Sequence, residues 1–120
     1  MKMKADNQIK IKNSLLLPLL EESFKNNESV LLTVVGFSMF PYLVGNIDKV
    51  TLNPCLAYNL KIGDVILFKV ADEFILHRII EIFPDTETII TKGDNSILYE
   101  KLNFKDVLAV AKKSKLSISE

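Results

Sequence analysis

The sequence holds one cysteine, one histidine and no tryptophan, and all of its fifteen basic side chains are lysine except Arg78. A lone thiol, Cys55, excludes an internal disulfide and any cysteine cluster for zinc or iron–sulfur chemistry. Cys55 itself reads as a buried filler. With a single imidazole none of the usual metal-ligand spacings occurs, so neither a metal nor an organic cofactor is expected. Fifteen acidic residues balance the fifteen basic ones, giving a formal net charge of zero. Nucleic-acid binding rests on a basic excess and, for bidentate recognition, on arginine, so no nucleic-acid partner is expected. Long apolar runs are missing too: residues 15–20 and Val30–Val35 fall far short of the roughly 18 to 20 residues needed to cross lipid. Lys2, Lys4, Lys10 and Lys12 mimic the positive start of an export signal. However, the apolar run behind them contains Pro18 and passes into Glu21 and Glu22 without a small-residue cleavage site. The expected location is cytoplasmic, or peripheral at a membrane.

What remains is an ordinary globular balance, 48% hydrophobic and 25% charged over 120 residues, which suits one domain. Residues 1–13 read as a flexible, Lys-rich arm. Residues 14–26 read as a helix capped by Asn13 or Ser14, with Leu16, Leu19, Leu20 and Phe24 on its apolar side and Pro18 near its start. A helix lying on a membrane surface is the alternative for this segment. From Val30 the pattern changes to about six short strands at residues 30–35, 48–52, 65–70, 74–82, 87–91 and 107–111. Asp72-Glu73 and Pro84-Asp85 are turns, and residues 53–60 and 93–104 read as irregular. The expected fold is a small, strongly coiled, mostly β domain, barrel-like, with one leading helix.

Within that frame one serine stands in a nucleophile-like setting: Gly36-Phe37-Ser38-Met39-Phe40-Pro41. A strand ends at Gly36, and Pro41 stiffens the backbone just beyond Ser38, a perch that can expose a hydroxyl beside backbone N–H groups. By itself it is also an ordinary strand-end turn. His77 lies mid-strand, on the face of Ile75 and Ile79, where desolvation favours the neutral imidazole that a general base requires. It could equally be a satisfied, half-buried histidine. Arg78, with apolar strand neighbours, needs a partner, and Asp94 is the expected one. Gly93-Asp94-Asn95-Ser96 reads as a turn, and Glu100 in the loop beyond could reach back to orient an imidazole. Lys69 reads as a solvated strand lysine.

Taken together and in this order, these segments resemble the conserved boxes of the type I signal peptidase family, whose relatives include repressor-cleaving peptidases with a shared catalytic β fold. Residues 36–43 resemble its serine box, and residues 63–68 its glycine–aspartate strand opener. Residues 77–80 resemble its base box and residues 91–95 its last box. Histidine before the arginine of the base box is similar to the archaeal, endoplasmic-reticulum and sporulation-associated branch rather than the lysine branch. The resemblance implies that Ser38 is the nucleophile, His77 the base, and Glu100 or Asp94 the orienting acid. Gly36, Met39, Pro41, Arg78, Gly93 and Asn95 would support them. Glu100 stands where the family has aspartate, and Phe37 where it has glycine before the nucleophile. Gly36 replaces a residue that can carry an oxyanion-hole hydroxyl, which leaves that task to backbone N–H groups, that of Ser38 foremost.

The activity implied is hydrolysis of a peptide bond in a leader or pro-segment through a Ser–His pair and an acyl-enzyme. The substrate, a peptide or protein, is expected to lie extended along an exposed edge at residues 30–35 or 74–82. Met39, Phe40 and Tyr42 are expected to form an apolar rim suited to peripheral membrane contact. Two other functions fit the same residues: a catalytically degenerate member that binds a peptide or protein partner, and a cytoplasmic self-cleaving regulatory domain.

Overall fold

The structure, a computed structural model, describes residues 2–5, 13–54, 59–71 and 73–114. Cys55 and Asp72 lie outside them. The described strands are β1 (Lys2–Ala5), β2 (Val30–Val35), β3 (Lys49–Asn53), β4 (Val65–Val70), β5 (Glu73–Phe83), β6 (Thr88–Lys92), β7 (Tyr99–Asn103) and β8 (Val107–Lys113); the helix α1 spans Asn13–Lys25. All eight strands join one antiparallel sheet in the order β1-β2-β3-β8-β4-β5-β6-β7. The sheet coils until β1 comes close to β5, yet it does not close into a barrel. The mostly β expectation with one helix therefore describes the molecule, whereas a closed barrel does not.

The strongest strand signal gives the most central strand. Gly63, at φ 100°, turns the chain into β4, whose Val65, Ile66, Leu67 and Phe68 are all buried. Four successive buried residues mean that both faces of β4 are covered, as in a strand flanked on each side by apolar material. Val65 and Leu67 join Leu32, Val34, Val50, Leu52, Phe74 and Leu76 in one apolar cluster, and Leu16 and Leu20 of α1 pack there too. Ile66 and Phe68 point the other way, into a second cluster with Ile79, Ile89 and Leu102. Burial of this kind contributes roughly 1.5–3 kcal/mol per large apolar side chain before chain entropy is set against it.

Several expectations need correction. Within the Lys-rich opening arm, Lys2–Ala5 is a strand paired with β2. The stretch 93–104 is not irregular throughout, because Tyr99–Asn103 forms β7 and carries Glu100. Residues 30–35 and 74–82 are not edges: β2 is flanked by β1 and β3, and β5 by β4 and β6. In α1, Leu19 is exposed while Leu16 and Leu20 are buried, so the apolar stripe is narrower than its spacing suggests. Pro18 stands inside the helix rather than in its first turn. Met39 is fully buried and does not belong to an exposed rim, although Phe40 and Tyr42 are exposed.

Candidate active site

Ser38 opens the turn that follows β2. Phe37 O accepts a hydrogen bond from Phe40 N at 3.1 Å, and Met39 O accepts one from Leu43 N at 2.9 Å, so the chain coils tightly as it leaves the strand. Met39 and Leu43 drive into the first apolar cluster and anchor the turn, while Ser38 stays half-buried between them and the exposed Phe37. The return path is equally constrained. A Cβ at Gly45 would overlap the carbonyl oxygen of Gly36, so only glycine allows the two backbones to approach there. Asp48 caps the loop by accepting a hydrogen bond from Val44 N at 2.8 Å.

His77 faces Ser38 from β5. Its Nε2 lies 3.1 Å from Ser38 Oγ and its Nδ1 lies 2.8 Å from Glu100 Oε1. An ionised carboxylate can only accept, so Nδ1 carries the proton and donates it to Glu100. The other ring nitrogen of the neutral imidazole is then the acceptor for the Ser38 hydroxyl. The imidazole is 7% exposed, its edge set against Phe68 with ring centroids 6.1 Å apart. Burial lowers its pKa from the ordinary 6.5, and the hydrogen bond to Glu100 works in the opposite direction without cancelling that effect. His77 is thus held in the form that can accept a proton at neutral pH.

The two carboxylates expected to compete for the orienting role have separate tasks. Glu100 reaches His77, while Asp94 binds Arg78 through both of its oxygens, at 2.8 Å from Nε and 2.7 Å from Nη2. Arg78 also donates to Gly63 O at 2.8 Å, and its guanidinium stacks 4.9 Å from the centre of the Tyr42 ring. The hydrogen bonds that Arg78 donates to Asp94 raise its pKa above the ordinary value. One guanidinium therefore ties together the start of β4, the strand carrying His77, the turn carrying Asp94 and the loop carrying Tyr42.

The turn after β6 grips the serine segment directly. Asn95 N donates to Ser38 O at 2.8 Å, Asn95 Nδ2 donates to Phe37 O at 3.1 Å, and Asp94 N donates to Met39 Sδ at 3.3 Å. Gly93 is buried against the pair itself. A Cβ there would come within 2.7 Å of Ser38 O and 2.8 Å of His77 Nε2. Pro41 follows in the same turn as Ser38. Ser38, His77, Glu100, Arg78, Asp94, Asn95, Met39 and Gly93 are thus brought together, while Gly36 packs against Gly45 and Pro41 makes no such contact among the described residues. Lys69 stays on the exposed end of β4, with its ammonium over Phe74.

One residue of the site, first in the segment 91–95, was given no role from the sequence. Thr91, buried in β6, places Oγ1 2.7 Å from Glu100 Oε1. Its cross-strand pairing with Glu100 is a property of the β6–β7 register, and β7 itself carried too little apolar pattern to announce that register. Among the described residues, no helix is long and apolar enough to cross a membrane. Compared with known proteins, the chain matches no family model, no curated protein and no solved structure.

Proposed function

We propose that this protein is a serine peptidase in which His77 activates Ser38 and Glu100 orients His77, on a fold of the signal-peptidase catalytic type. The observation that carries the reading is the chain of contacts Ser38 Oγ–His77 Nε2–His77 Nδ1–Glu100 Oε1, at 3.1 and 2.8 Å, assembled from the turn after β2, the middle of β5 and the start of β7. In the reaction, Ser38 Oγ attacks the scissile carbonyl as its proton passes to His77 Nε2. His77 then delivers that proton to the leaving amine, and water attacks the resulting ester by the same route. Glu100 supports the imidazolium that forms between these steps. Backbone N–H groups at the start of the Ser38 turn would stabilise the oxyanion.

The substrate is a peptide or protein segment bound in extended form, of the leader or pro-segment kind. With β2 and β5 both paired on each side, the outer side of β7, unpaired among the described residues, is the edge nearest the reacting groups, since Glu100 belongs to that strand. Exposed Ile97 and Leu98 lead into β7 and exposed Phe37 and Phe40 stand in the Ser38 turn; they suit apolar side chains or a peripheral membrane contact.

The test is reaction with a fluorescent fluorophosphonate, followed by mapping of the labelled peptide. The wild-type chain should label at Ser38, and Ser38→Ala should abolish labelling. His77→Asn should slow it by about 10²–10⁴-fold, the usual contribution of a positioned base. A chain that never labels while its fold is intact is a binding module instead. Discrete fragments of the purified chain that vanish in Ser38→Ala would identify self-cleavage.

A further inference from the structure

We propose that Thr91 is a positioning residue for the Ser38–His77 pair and acts by holding Glu100; the assignment rests on the peptidase reading above. Thr91 is fully buried and stands directly across from Glu100 in the pairing of β6 with β7. Its Oγ1 donates to Glu100 Oε1 at 2.7 Å, and the same oxygen accepts the Nδ1 proton of His77 at 2.8 Å. One carboxylate oxygen is therefore fixed between two donors from two different strands.

The need for a second donor follows from the nature of Glu100. Glutamate has several rotatable bonds, and this side chain remains 24% exposed on the end strand of the sheet. A single bond to His77 would leave it free to swing into water, taking the imidazole's orientation with it. Thr91 is β-branched and stiff at χ1, so its hydroxyl is a fixed point rather than a second mobile group. Its hydrogen bond fixes Oε1 at the spot where His77 Nδ1 donates, so the carboxylate cannot turn away without breaking both contacts. Asp94, the other carboxylate near His77, is held by Arg78 and cannot substitute without breaking that fork.

The test compares Thr91→Val, which keeps the shape but removes the donor, with Thr91→Ser, which restores it. Both are made in the full chain. The rate of fluorophosphonate labelling at Ser38 should fall about tenfold in Thr91→Val, as for other residues that orient a catalytic group through a neighbour, and stay within about threefold of wild type in Thr91→Ser. In a Glu100→Ala background, Thr91→Val should add nothing, because the group it positions is gone. His77 is the sole histidine, so its ring protons can be titrated by NMR without ambiguity. Its pKa should fall further in Thr91→Val as Glu100 swings away, and return in Thr91→Ser. Wild-type labelling in Thr91→Val, additive losses with Glu100→Ala, or an unchanged or raised His77 pKa would each overturn the proposal. A wild-type chain that fails to label overturns the peptidase reading, while the NMR titration still decides whether Thr91 holds Glu100.

Discussion

Burial in β5 disfavours the charged form of His77, while the hydrogen bond to Glu100 favours it; burial prevails. A base must be neutral to act, so the acid limb of Ser38 labelling should be centred below 6.5, at the lowered His77 pKa. Glu100→Ala removes the opposing contribution and should move that limb to still lower pH, while reducing the plateau. An acid limb centred above 6.5 would contradict the burial of the ring. The same shift has a stability consequence with a definite sign. Between the folded value and 6.5 the unfolded chain binds more protons, so the stability present above 6.5 is lost as pH falls through the folded pKa. Urea midpoints should drop over that window, and the drop should shrink in His77→Gln. Gly93 sets a steric rather than an electrostatic condition. Gly93→Ala places a methyl 2.8 Å from His77 Nε2 and 2.7 Å from a backbone oxygen that cannot rotate away. Displacing the pair by a fraction of an ångström should slow labelling by about 10²-fold. Circular dichroism should still report a folded sheet.

At the scale of elements, the site depends on how strands are tied at their ends. Arg78 connects β5 to the entry of β4 and, through Asp94, to the turn whose Asn95 holds the backbone of the Ser38 segment. Lysine cannot reproduce the fork or the stack on Tyr42, so Arg78→Lys should lower stability by about 1–2 kcal/mol in urea unfolding and slow labelling as well. Unchanged labelling would show that the tie serves stability alone. These elements were unevenly legible in the sequence. Residues 65–70 could be read with correct ends because Gly63-Asp64 opens a dense apolar run. Tyr99–Asn103 could not, since only Leu102 among its residues is buried and its pairing rests on backbone bonds. Lys2–Ala5 escaped too, because its alternating lysines read in the sequence as a solvated arm. Ser38, His77, Glu100 and the Arg78–Asp94 pair were legible as candidates because each is chemically conspicuous or rare. Thr91 was not, because threonine is common in strands and its contact depends on a register that no local pattern states.

Across the whole molecule, stability should be graded along the sheet. β4 lies between β8 and β5 with both faces covered, whereas β1 and β7 stand at the ends. Native-state amide exchange should be slowest in β4, β5 and β8 and fastest in β1 and β7. Equal protection of β7 and β4 would contradict this order. Since β7 carries Glu100, one of the two most easily opened strands also bears the orienting acid, so local fraying of β7 and loss of reactivity should rise together on warming.

The other end strand bears on which guests the protein can receive. β2 runs toward the reactive serine, and its outer flank is already taken by Lys2–Ala5, with Lys2 opposite Val35. A visiting polypeptide that sought this berth would have to evict a resident of the same backbone chemistry, whereas one arriving at β7 would meet no incumbent among the described residues. Admission on the first side is therefore set by how readily four of the protein's own residues let go.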